Sequence, residues 1–232
     1  MANIAGKPMI GHVYERSAKS SLSDLTVVAT CDQEIFDYIE SIGGNATMTA
    51  PTHERASDRC AEALKILEEE QGVQYDVVVM VQGDEPLINP NMISEAVTPL
   101  LTDESINVIN LTSEIESEAE YLNPNCIKVV FDLEHNALYF SRRPIPTTKD
   151  FSAHTFWKQV CIIPFRRDFL LRYCALEPTS LEVQESVDMM RILEHGFGVK
   201  MVPTAYQTVA VDTPEDLIAV EKLMMIQSGA TK

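Results

Sequence analysis

The sequence predicts an α/β protein, and three observations predict it. Short β-branched apolar runs alternate with segments of helical periodicity along the first half of the chain. The run D-V-V-V-M-V at 76–81 is almost unbroken in hydrophobicity, as strands covered on both faces of a parallel sheet are. No internal repeat or flexible linker divides the 232 residues, so positions 1–232 read as a single domain.

The elements follow in order. Leu25–Thr30 is β-branched and short, hence a strand. D-Q-E-I-F-D-Y-I-E-S-I places Ile35, Ile39 and Ile42 on one helical face, and Gly43-Gly44 stops that helix. Ser57–Gly72 repeats the pattern with Ala61, Leu64 and Leu67, ending in the solvated Glu68-Glu69-Glu70. Pro90 opens another helix, and Ile106–Leu111 reads as a strand. After Glu120 the rhythm changes: I-K-V-V-F-D and A-L-Y-F-S flank the turn-prone Leu133–Asn136, which predicts a hairpin. The Pro-rich stretch R-R-P-I-P-T-T-K-D-F-S-A-H predicts a loop, and W-K-Q-V-C-I-I-P-F a strand ending at Pro164. Two helices follow. Val211–Ile226 is the last, with Asp212 or Thr213 as its cap and Pro214 in its first turn.

Charge narrows the function. Eighteen Lys and Arg oppose 35 Asp and Glu, a net charge of −17. A nucleic-acid binder needs a basic face to displace counterions from phosphate, and docking on anionic lipid needs the same, so neither partner is expected. No apolar run approaches the length of a membrane span, and the first residues lack a secretory hydrophobic region. The five cysteines are widely spaced with no C-x-x-C pair, which predicts reduced, mostly buried thiols and a cytoplasmic location.

Two acidic segments could carry chemistry. Gln82-Gly83-Asp84-Glu85-Pro86 follows the most apolar strand, and ligands of open parallel sheets bind beyond the carboxyl ends of the strands. An aspartate there suits a hard divalent cation bridging phosphates, although Q-G-D-E-P serves equally well as a plain strand-to-helix turn. Asp212 could supply a second carboxylate, or simply cap the last helix, with Glu215-Asp216 answering its dipole. Lys7 precedes an amphipathic helix and could face phosphate. Neither G-x-x-x-x-G-K-[ST] nor G-x-G-x-x-G occurs, and the five histidines show no metal-ligand spacing.

In order along nearly the whole chain run A-G-K-P-M-I-x-H-V-Y-E-R, V-A-T-x-D, M-T, V-Q-G-D-E-P, N-P-N-x-I-K-V-V, A-L-Y-F-S-R and V-D-T-P-E-D-L. In this series the sequence resembles the bacterial CMP-Kdo synthetases, the 3-deoxy-manno-octulosonate cytidylyltransferases. The resemblance implies a nucleotide-diphospho-sugar transferase fold, a mostly parallel sheet between helices with a dimerising β-hairpin extension. The sugar-binding and dimerisation part would be about residues 120–165. It implies transfer of CMP from CTP to an acidic eight-carbon sugar, with Mg²⁺, release of pyrophosphate and a homodimer, in support of cell-surface polysaccharide synthesis. Matched motif by motif, Asp84 and Asp212 would hold the metal, with Lys7 beside them as a catalytic and nucleotide-binding cation. Gln82, Arg59 and Ser57 would contact the nucleotide. Gln82, Lys128, Arg142, Glu182 and Glu185 would line the sugar site.

The sequence also departs from the family. The family's opening strand and loop, I-I-P-A-R-x-x-S-x-R-[LF]-P-G-K, have no counterpart, because Met1–Ile4 falls just beyond their end. A central strand and the main triphosphate cradle are therefore expected to be missing, and activity of this chain to be reduced. S-G-T of the family's nucleotide loop is Arg55-Ala56-Ser57, and H-L-G-I-Y-G-Y is Gln159–Phe165. The usual L-E-x-x-E-x-L-E-Q-L-R appears as L-E-V-Q-E-S-V-D-M-M-R, retaining Glu182, Glu185 and Arg191. Alternatives are activation of 8-amino-Kdo or a nonulosonate, or a non-catalytic sugar-nucleotide-binding relative.

Overall fold

Most boundaries follow caps written in the sequence. In the computed structural model residues 1–229 are described, and the chain opens with a two-residue-strand hairpin, β1 (Asn3–Ile4) and β2 (Lys7–Pro8). Helix α1 (Met9–Ser17) follows directly, then β3 (Val28–Thr30). The Asp32 side chain accepts the Glu34 amide at 2.8 Å and starts α2 (Gln33–Ser41). Gly43, at φ +74°, ends that segment in a conformation that favours glycine. Strand β4 (Ala46–Met48) lies parallel to β3, and α3 (Ala56–Gln71) ends at the left-handed Gly72.

Next come β5 (Val77–Val81), α4 (Pro90–Thr102), β6 (Ile109–Glu114) and α5 (Glu118–Leu122). Strand β6 begins three residues later than its apolar run suggests. Two of its buried polar side chains are satisfied: Asn110 Nδ2 donates to the Leu111 and Val160 carbonyls, and Thr112 Oγ1 to Lys158 O. The expected hairpin forms from β7 (Lys128–Phe131) and β8 (Ala137–Ser141).

The segment expected as one strand is two, β9 (Trp157–Val160) and β10 (Ile162–Arg166), divided at Cys161. Pro164 lies inside β10 rather than ending it. Proline removes only a donor, so a strand runs through it where that N–H needs no partner. Three helices follow instead of two: α6 (Arg167–Cys174), α7 (Ser180–Glu185) and α8 (Asp188–Glu194). Ser186, at φ +52°, separates the last two. Strand β11 (Lys200–Pro203), too short and mixed to read in advance, precedes α9 (Pro214–Gly229).

The chain forms two units. The first comprises Met1–Val73, Val81–Ser94 and the chain from Thr208 onward; the second comprises Gln74–Met80 and Glu95–Gln207. In the first, Ile4, Leu87, Val220 and Met224 are buried together, with Met9, Val209, Val211 and Leu217 against them. In the second, a five-stranded sheet has the order β11-β6-β9-β7-β8. Only β11 and β6 are parallel there, because the hairpin and β9 enter antiparallel. The aromatic residues gathered around that hairpin serve the unit's own core. Phe140 and Phe156 are fully buried, and Phe156 stacks on Phe151 and packs at a tilt against Tyr121.

Among the described residues, β3 pairs only with β4 and β5 only with β10. Each strand has one edge without a partner strand. The valines of β5 are accordingly half-buried, and only Met80 is fully covered. The expectation of burial on both faces is not met there.

Candidate active site

The first unit brings two carboxylates together at the end of β5. The Val211 amide donates to the Asp84 carbonyl at 2.9 Å, which lays the segment before α9 alongside the turn that leaves β5. Asp84 is half-buried, and its Oδ1, itself buried, has no hydrogen-bond partner. Burial pushes the Asp84 carboxyl up from its ordinary range. Its own backbone amide opposes that shift, and the charge of Asp212 adds to it. A buried carboxylate oxygen with no donor, next to a second carboxylate, is costly unless a cation completes it.

Asp212 is free for that role because Thr213 makes the cap. Thr213 Oγ1 accepts the Asp216 amide at 3.2 Å, and Asp216 Oδ2 accepts the Thr213 amide at 2.9 Å. This reciprocal pair starts α9 without the Asp212 side chain, which is exposed. Gln82, half-buried two residues before Asp84, makes no hydrogen bond among the described residues. No group of three or more His, Cys, Asp or Glu that could hold a metal occurs among the described residues. Two carboxylates without a full cage suit Mg²⁺, which keeps waters and substrate phosphates as its remaining ligands.

The other expected nucleotide residues lie in the same unit. Lys7 Nζ is 2.6 Å from both Glu15 oxygens, so an acidic side chain already holds this cation. Arg59 is half-buried on α3 and donates from one Nη to Thr49 Oγ1 at 2.6 Å. Ser57 is fully buried in the first turn of α3 and engaged within the protein. Sequence reading missed Glu62, which accepts both the Ala50 amide and His53 Nε2. Its position one helical turn after Arg59 is the signal that could have found it.

The residues expected around a sugar lie in the second unit, bound to one another. Lys128 is fully buried, and burial lowers its pKa. Its three donors go to the carbonyls of Asn123, Cys126 and Arg142, at 2.8, 2.6 and 2.8 Å. All three donors of the ammonium are thus engaged within the protein. Glu182 is buried in a bidentate pair with Arg191, at 2.7 and 2.6 Å, while also closing the cap of α7. Glu185 accepts Tyr139 Oη, Ser141 Oγ and the Arg142 amide. Arg142 gives three of its N–H groups to the carbonyls of Glu185, Pro124 and Ser186, which leaves two of a guanidinium's five donors.

Known proteins resemble the chain along nearly its whole length. The chain is 43% identical over 239 residues to a 3-deoxy-manno-octulosonate cytidylyltransferase of Geobacter metallireducens, covering 98% of this chain and 92% of that protein. A solved structure of CMP:2-keto-3-deoxy-manno-octonic acid synthetase complexed with CTP superposes with a TM-score of 0.86 at 34% identity, over 97% of this chain and 91% of that one. A 4-diphosphocytidyl-2C-methyl-D-erythritol synthase from Anaerococcus prevotii, 14% identical over 96% of this chain and 88% of its own, shares the fold with a TM-score of 0.61. The cytidylyltransferase family model matches residues 1–203. With that match and these relatives over nearly its full length, the chain belongs to the cytidylyltransferase family.

Proposed function

We propose that the protein transfers CMP from CTP to an acidic 3-deoxy-octulosonate sugar, releasing pyrophosphate. The sugar's anomeric hydroxyl oxygen bonds to the α-phosphorus of CTP, the bond from that phosphorus to the β-phosphoryl oxygen breaks, and the hydroxyl proton passes to solvent. The observation that carries the reading is the unpartnered buried oxygen of Asp84 beside Asp212 at the end of β5. It is supported by the names of the relatives that match along the chain.

Asp84 and Asp212 would hold Mg²⁺. When bound, the ion neutralises triphosphate charge and fixes the reacting oxygens in line. Gln82 offers an uncommitted amide to nucleotide or sugar, and Arg59 and Lys7 offer cations to the phosphates. Lys7 would reach them by exchanging Glu15 for phosphate. Arg142 would use its two remaining donors on the sugar carboxylate, a bidentate match that guanidinium geometry favours. Lys128 and Glu185 hold the backbone of Arg142.

No helix among the described residues is long and apolar enough to cross a membrane. All five cysteines are free, which suits a reducing cytoplasm supplied with CTP, and the product would feed cell-surface polysaccharide synthesis. A homodimer through the β7–β8 hairpin would cover Leu133 and Leu138, which are exposed there.

The test is pyrophosphate release by this chain at saturating CTP with Mg²⁺, run in parallel with Kdo, 8-amino-Kdo, a nonulosonate and no sugar. Release that depends on Kdo and on CTP, and fails with ATP or GTP, is expected. Release with the nonulosonate alone would move the substrate class. CTP binding without release with any sugar would identify a non-catalytic binder.

A further inference from the structure

The turn between β4 and α3 is held from one face of α3 by two charged side chains. Arg59 donates to Thr49 Oγ1 at 2.6 Å and to the Ala50 carbonyl at 3.5 Å. One turn later, Glu62 Oε2 accepts the Ala50 amide at 2.8 Å and His53 Nε2 at 2.5 Å. Residues three apart on a helix share a face, so Arg59 and Glu62 grip neighbouring atoms of the same loop. The β-ladder ends just before this grip, where the Thr49 amide donates to Thr30 O. From Ala50 to His53 these two α3 side chains anchor the loop. Both Glu62 bonds pull its carboxyl below its usual range, the Ala50 amide most and His53 next.

We propose that Glu62 is a positioning residue for the nucleotide, holding residues 49–53 against α3 so that the loop and Arg59 present one fixed surface to CTP. The proposal rests on the reading that CTP binds here. A carboxylate accepting two bonds through one oxygen fixes the loop at two points three residues apart. Without it, the Ala50 amide and His53 lose their partner together, and Arg59 alone holds a loop free to swing. CTP would then have to order the loop on binding, which weakens ground-state affinity while leaving the chemical step intact once CTP is bound.

The experiment compares wild type with Glu62→Ala, Glu62→Gln and His53→Ala. It measures KM for CTP and for the sugar, kcat, melting temperature, and hydrogen exchange of the 49–54 segment. Glu62→Ala should raise KM for CTP about tenfold or more, as loss of charge-assisted hydrogen bonds does, with kcat and the sugar KM within about threefold. Exchange at the Ala50 amide should speed up. Glu62→Gln keeps a carbonyl oxygen for that amide and should recover most of the affinity. His53→Ala removes one anchor and should produce a smaller rise of the same sign. An unchanged KM for CTP in Glu62→Ala overturns the proposal while the functional reading stands. So does a parallel loss in kcat and both KM values with a lowered melting temperature, the mark of a merely structural role. If Glu62→Ala does not fold, the Glu62→Gln and His53→Ala results decide by the same criteria. A wild-type protein that binds no CTP overturns the functional reading and this proposal with it.

Discussion

At the end of β5, Gln82 makes no hydrogen bond among the described residues and Asp84 keeps a buried oxygen unpartnered, with Asp212 exposed beside it. Around β7, β8 and α7 the same kinds of side chain are fully committed. Lys128 spends every donor on carbonyls, Glu185 accepts three protein donors, and Glu182 and Arg191 bind each other twice. A fold tolerates an unpartnered buried charge where a ligand completes it and satisfies the others internally. The first region is thus built to receive a ligand. The second is built to hold its own backbone, with Arg142 keeping two donors to spare.

The comparison breaks most sharply at Asp84. Asp84→Asn keeps the shape and removes the charge, so turnover at saturating CTP and Mg²⁺ should fall at least about a hundredfold, the scale on which transition-state charge stabilisation is lost. Asp212→Asn should behave alike. Turnover within a factor of a few of wild type would remove both residues from the cation site.

In the second region stability should change instead. Arg191→Ala leaves Glu182 charged and buried, which costs about 3–5 kcal/mol and, for a chain of this size, lowers the melting temperature by on the order of 10 °C. Below the melting transition, kcat should remain within about threefold of wild type, because the pair touches no reacting atom. Arg191 also lies over the Tyr173 ring, 5.0 Å from its centroid, so Arg191→Lys should recover only part of the loss. A large fall in kcat with an unchanged melting temperature would erase the distinction between the regions.

Much of this was legible in the sequence where one residue type has one local use. Asp32 caps, Gly43 and Gly72 stop helices, Leu133–Asn136 turns a hairpin, and the acids at 84 and 212 meet. What stayed hidden depends on distant partners. The apolar run that marks the strand ends at Leu111, yet Thr112 and Ser113 continue it, paired with β9 and buried. Lys128 reads as a ligand-binding cation, but three carbonyls brought in by separate segments consume its donors. Glu62 looks like any solvated helix residue until the loop folds back onto it. Motif spacing identifies which residues converge, and only the folded contacts tell which of them are already taken.

The most direct test is the melting temperature of wild type and Asp84→Asn, measured from below the ordinary carboxylate range to neutral pH, with and without Mg²⁺ and CTP. The folded protein raises the Asp84 pKa, so its protonated form is favoured: the stability it contributes is complete below the ordinary carboxylate range and is lost as pH rises through the raised value. Ligand-free wild type should therefore lose stability relative to Asp84→Asn across that range. Near neutral pH the variant should melt higher than wild type. Adding Mg²⁺ and CTP should raise the wild-type transition and leave the variant almost unmoved. A variant that melts lower without ligand, and gains as much from Mg²⁺ and CTP as wild type does, would contradict a cation site at Asp84.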